Sequence, residues 1–156
     1  MFVTVEKRLR PATGYPARPN VERQDSGLNI SVVFTSVEST LAALREAGNL
    51  ADSLGARITL LVPQVVPYPL PLETPAVVHE FSEKRFRVLA GESPVETRVH
   101  VYLCRDKLAT LLSVLGPTPS LVVLGGKKRW FWPTRDEVLA RKLQRAGHEV
   151  IYKKTE

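Results

Sequence analysis

At 156 residues, 44% of them apolar, the chain has the length for one domain with its own hydrophobic core. Its 22 Lys+Arg against 16 Asp+Glu give a formal net charge of +6, and the single cysteine, Cys104, excludes an intramolecular disulfide and fits a reducing, cytoplasmic setting. No run reaches the ~20 apolar residues of a membrane span and no apolar leader opens the sequence, so a soluble protein is expected.

Residues 1–27 combine Pro11, Gly14, Pro16, Pro19 and Gly27 with scattered charge. They are expected to form a flexible arm in which only residues 2–5 resemble a strand, with the folded domain spanning 28–156. Residues 28–34 (LNISVVF) then read as a strand rich in β-branched side chains. Leu41, Leu44, Ala47, Ala51 and Leu54 follow at spacings of three and four, one apolar face of a helix. Ser36 or Ser39 is placed to cap its start and Gly55 to close it. Residues 57–62 (RITLLV) are the second strand. Prolines at 63, 67, 69, 71 and 75 fix φ and remove donors, which forces a long extended connection.

A second helix is expected over 76–90, with Val78, Phe81 and Leu89 inward and a basic stripe at Lys84, Arg85 and Arg87. Residues 96–103 form the third strand, where Val99, Val101 and Leu103 alternate. Cys104 closes that strand on the opposite face as a structural thiol. Asp106 caps a short helix carrying Leu108, Leu111, Leu112 and Leu115, which Gly116-Pro117 ends.

The last unit is the most informative. Residues 121–124 (LVVL) suit a buried strand that Gly125-Gly126 is expected to end. A basic and aromatic loop follows: Lys127, Lys128, Arg129, Trp130, Phe131, Trp132, Pro133. Thr134 sits three residues before Glu137, a capping-box spacing, and its helix runs to Gly147 before a final strand over 149–152. Residues 127–156 hold nine basic side chains against four acidic ones, so most of the net charge lies here. Such a field suits an anionic small molecule or an acidic protein partner; a solvated basic surface is the plain alternative. One or two of the three aromatics are expected to cover the end of the sheet, leaving at least one exposed.

Strands alternating with helices imply an α/β domain: an open, five-stranded, mainly parallel sheet with helices on both faces. Ligands in such sheets bind beyond the carboxyl ends of the strands, where strand order reverses. This gathers residues 35–39, 63–75 and 125–134 at one edge. Thr35, Ser36, Gly125, Gly126, Lys127, Lys128, Arg129, Trp130 and Thr134 are the candidate ligand-binding residues.

The phrases GNLADSLGARITLLVP (48–63) and LVVLGG…LARKLQRAGHEVIY (121–152), with the order of elements, resemble a universal stress protein domain over roughly residues 28–153. The resemblance implies a five-stranded sheet of the adenine-nucleotide-binding type, a regulatory role, and a homodimer through the last strand, with Val150, Ile151 and Tyr152 at the interface. It implies an adenine nucleotide as ligand, yet the motif is broken. Thr35 stands where nucleotide-binding members end their first strand in aspartate. Their G-x-x-G loop finds Gly125 or Gly126, but Lys128 or Arg129 replaces the second glycine. The final G-S/T is absent, Thr134 being the nearest hydroxyl. Side chains at those glycine positions obstruct close backbone approach to a phosphate.

The sequence contains no G-x-x-x-x-G-K-S/T loop and no G-x-G-x-x-G turn. His79, His100 and His148 show no metal-ligand spacing with Cys104. No catalytic residue and no metal site is expected. The leading expectation is a non-catalytic, universal-stress-like regulatory or binding protein with a degenerate nucleotide pocket. The alternatives are a nucleotide binder, of ATP, AMP or a cyclic dinucleotide, using Lys127, Lys128 and Arg129, and a nucleic-acid or anionic-surface binder using the basic C-terminal region.

Overall fold

The computed structural model describes residues 3–9 (backbone), 27–66, 89, 93 and 95–156. Its elements in chain order are β1 (Val3–Leu9), β2 (Asn29–Val33), α1 (Val37–Leu54), β3 (Arg57–Val65), β4 (Thr97–Cys104), α2 (Lys107–Leu115), β5 (Leu121–Lys127), α3 (Arg135–Arg145) and β6 (Glu149–Thr155). The strands make one sheet in the order β1-β4-β3-β2-β5-β6. All neighbours are parallel except β1, which runs antiparallel to β4 from Val3↔Leu103 to Leu9↔Thr97. The five parallel strands are those expected, so the fold is an open, mainly parallel α/β sheet. A sixth strand is added to these five: the run at residues 3–9 lies antiparallel along β4.

Central strands are buried on both faces, which explains their near-continuous apolar runs. On β2, Ile30 and Val32 enter one core layer and Val33 the other. The first layer packs α1 and Leu89 on the sheet; the second packs α2 and α3. Helix α1 lies close to its face through small residues, Ala43, Ala47, Gly48 and Ala51, all buried. Burying a Leu or Ile such as Leu44, Ile58 or Leu111 contributes roughly 1.5–3 kcal/mol each. Leu54 departs from the expected stripe and is 48% exposed, because the apolar stripe ends at Ala51 and the last turn serves the Gly55 cap.

Three strands run three residues past their expected ends, β6 among them, from 152 to Thr155. β3 continues through Pro63 to Val65. Leu61 turns its carbonyl toward β2, accepting from Phe34 N–H at 2.9 Å. Strand alternation points Pro63 the same way, past the end of β2 at Val33, so its missing N–H breaks no ladder bond. β5 likewise runs through Gly125-Gly126 to Lys127, pairing these three with Lys153, Lys154 and Thr155. The expected proline-rich connection beyond residue 66 and the helix over 76–90 lie outside the described residues, apart from Leu89, which is buried.

The caps follow the sequence. Ser36 caps α1, Asp106 caps α2 through Ala109 N–H at 2.9 Å, and Thr134 caps α3. Cys104 is buried, its thiol 3.6 Å from the Gln64 carbonyl. His148 is also buried, its Nδ1 accepting from Ser120 N–H at 3.2 Å. No helix among the described residues is long and apolar enough to cross a membrane.

Candidate functional site

Strand order reverses at β2, since the chain builds outward to β3 and β4 before returning to lay down β5 and β6. The crevice between the carboxyl ends of β2 and β5 is therefore the place where this architecture holds ligands. Three segments meet there: residues 34–36 leading into α1, the two glycines of β5, and the end of β6.

The crevice is filled by the chain's own hydroxyls. Thr35 Oγ1 donates to the Gly125 carbonyl at 2.7 Å, and Thr35 N–H donates to Thr40 Oγ1 at 3.1 Å. Thr155 Oγ1 donates to the Gly126 carbonyl at 3.3 Å, which commits its only proton. Ser39 Oγ, 3.1 Å away, must then donate to Thr155 Oγ1. The first turn of α1, an anion site in other α/β proteins, has its Ser39 N–H held by Ser36 Oγ at 3.3 Å. Lys127 reaches back to Glu38, Nζ to Oε2 3.7 Å, with both side chains largely exposed.

The glycines have a packing reason. A Cβ on Gly125 would overlap the Ser39 carbonyl, and one on Gly126 would overlap the Tyr152 hydroxyl. Neither has positive φ. They bring α1 and α3 down on the strand; they do not turn the chain, contrary to the expected loop at that point.

Behind Gly126 a second network seats α3. Thr134 Oγ1 accepts from Glu137 N–H at 3.2 Å and lies 3.1 Å from Tyr152 Oη. The box is half-formed, because the Glu137 carboxylate pairs with Arg141 at 3.0 Å. Burial holds the Tyr152 hydroxyl above the usual tyrosine value, against the bond from Thr134. Lys107 opens α2 beside Asp136; burial holds its ammonium below the usual lysine value, with Asp136 working the other way.

Of the candidates, Thr35, Ser36, Gly125 and Gly126 meet in the crevice, and Thr134 sits one layer behind. Lys128 and Arg129 stand exposed on the loop that leaves it. Trp130, Phe131 and Trp132 are 88%, 84% and 78% exposed, so none covers the sheet as expected. Ser39, Thr40 and Thr155, outside the candidate ligand-binding set, complete the network. Only Ser39 had a signal, as an alternative helix cap. Of the interface candidates, Val150 and Tyr152 pack on one core layer and Ile151 on the other. What β6 leaves available is its outer backbone edge.

At the opposite end of the strands lies a depression of about 460 Å³ lined by Asn29, Ser31, Thr59, Arg98, His100 and Tyr102 among others. Its polar groups bond one another: Thr59 Oγ1 donates to Asn29 Oδ1 at 2.8 Å, and Tyr102 Oη lies 3.3 Å from His100 Nδ1. Among the described residues no group of three or more His, Cys, Asp or Glu gathers as for a metal ion.

No family model matches the chain, and no curated protein matches it. Among solved structures, a universal stress protein in complex with cAMP is similar at 19% identity and a TM-score of 0.46, over 83% of this chain and 98% of that one. A likeness of this size assigns no ligand and no activity to the present chain.

Proposed function

We propose that this is a non-catalytic binding or regulatory protein of universal-stress-like architecture whose nucleotide crevice is closed. The observation that carries the reading is the self-satisfied crevice: hydroxyls of Thr35 and Thr155 occupy the Gly125 and Gly126 carbonyls, and Ser36 occupies the helix amide. A phosphate entering there displaces bonds already made and meets Cβ atoms where a glycine loop is needed. A homodimer through the outer edge of β6 belongs to the same proposal, since that edge is open among the described residues.

Calorimetry and thermal shift against ATP, ADP, AMP, cAMP and a cyclic dinucleotide test it. A ligand at a hundredfold excess over Kd raises apparent stability by about 2.7 kcal/mol, an easily read shift. No shift is expected with any of the five. Micromolar binding abolished by Lys128→Ala/Arg129→Ala would overturn it in favour of a nucleotide site built on the basic loop.

A further inference from the structure

The loop between β5 and α3 presents, over five consecutive residues, two cations followed by three bulky aromatics. Lys128 and Arg129 are exposed and take part in no ion pair among the described residues. Trp130, Phe131 and Trp132 follow at 88%, 84% and 78% exposure. Three such rings offer on the order of 500 Å² of apolar surface, as much as the largest patch on a typical monomer. Soluble proteins do not keep such a patch at a loop tip for folding, and here nothing of the core depends on it.

We propose that this loop docks the protein on an anionic lipid surface, the rings entering the interfacial layer and the cations resting on headgroups. The inference does not depend on what the crevice holds. Three features favour this partner. The apolar and cationic groups are contiguous, and residues 127–133 contain no acid, so one surface must satisfy both at once. Tryptophan with flanking Lys and Arg is the composition of interfacial anchors, where each ring has an apolar body and, in Trp, a polar N–H. The collar extends beyond the loop, with Arg135 exposed at the start of α3 and Lys154 exposed at the end of β6. The nearby acids answer only in part: Glu38 is engaged by Lys127 and Glu137 by Arg141, leaving Asp136 and the terminal Glu156. A single-stranded nucleic acid fits less well. Trp130 and Phe131 are tilted 47° with centroids 6.2 Å apart, which gives neither a common stacking plane nor a slot for a base.

Trp130 and Trp132 are the only tryptophans, so fluorescence excited selectively in tryptophan reads this loop alone. The full chain is titrated with vesicles of phosphatidylcholine carrying 30% phosphatidylglycerol, with pure phosphatidylcholine vesicles, and with a dT20 oligonucleotide. A blue shift and co-sedimentation with the anionic vesicles are expected, weakening as salt is raised. Lys128→Ala and Arg129→Ala each lower partitioning about fivefold. Trp130→Ser/Phe131→Ser/Trp132→Ser abolishes co-sedimentation while leaving the unfolding temperature unchanged. No shift on anionic vesicles would overturn the proposal, as would equal partitioning into neutral ones. A shift with dT20 while the vesicles are inert would also overturn it and reassign the loop to nucleic acid.

Discussion

Gly125 and Gly126 differ in what stands over them, and that difference sets the cost of losing each. A methyl on Gly126 meets the end of the Tyr152 side chain, which can swing by giving up its bond to Thr134. A methyl on Gly125 meets the Ser39 backbone at the start of α1, which cannot. Gly126→Ala should cost about 1–3 kcal/mol and Gly125→Ala more, measured by denaturant unfolding; the reverse order would refute the packing role. Thr134→Ala removes the cap of α3 and a partner of Tyr152, so a loss of about 0.5–2 kcal/mol is expected. Tyr152→Phe removes the same bond from the other side, about 1 kcal/mol. Because folding raises the Tyr152 pKa, its contribution is complete below about pH 10 and is lost as pH rises through the folded value. The stability gap between wild type and Tyr152→Phe should therefore narrow above pH 10, and a constant gap would contradict the placement of that hydroxyl.

At the scale of elements, β6 is the strand with the most to decide. Glu149 N–H bonds the Ser120 carbonyl and Thr155 C=O accepts from Lys128 N–H, so its odd-numbered residues face β5. Val150, Tyr152 and Lys154 then point their amides outward. Val150→Pro should convert the proposed dimer to monomer in light scattering without unfolding the sheet, whereas Ile151→Pro breaks the ladder to β5 and destabilises the fold itself. A dimer that survives Val150→Pro would exclude this edge. Lys153 does not wait for a partner's carboxylate, since its Nζ lies 3.2 Å from Glu46 on α1. The elements themselves were legible where local chemistry decides them. Ser36, Asp106 and Thr134 announced three helix starts, and short apolar or β-branched runs, alternating only over residues 96–103, announced the five parallel strands. What failed was whatever depends on a distant neighbour. Gly125-Gly126 reads as a turn until β6 is laid beside it, and Pro63 reads as a strand end until β2 is seen to stop first. The site was half legible for the same reason. Thr35 and the glycines lie at strand ends that topology predicts, but Thr155 joins the network through Gly126, 29 residues away, and Ser39, 116 residues away, with no pattern of its own. The aromatics were expected to be partly covered on the general rule that rings seek the core, and the loop keeps all three outside.

For the molecule as a whole, one sheet has two edges, and they are finished differently. β6 ends one side with exposed Lys153 and Lys154, a common guard against unwanted pairing. The other side is finished by β1, which lies antiparallel along the whole of β4 from Thr97 to Leu103. Without β1, the new edge would be Thr97–Cys104, eight residues with one charge, Arg98, no proline, and a high β propensity. Such an edge invites association between chains. The register makes the consequence specific. Val66 N–H bonds the Cys104 carbonyl, so even-numbered residues of β4 face β3 and Val99, Val101 and Leu103 face β1. A chain shortened to residues 28–156, the boundary that composition alone suggests, should unfold at lower temperature and scatter light on concentration. Its amides at Val99, Val101 and Leu103 should exchange quickly, while those of His100, Tyr102 and Cys104 stay protected by β3. Equal protection of the two sets, or an unchanged unfolding temperature, would mean that the strand at residues 3–9 adds nothing to the sheet it borders.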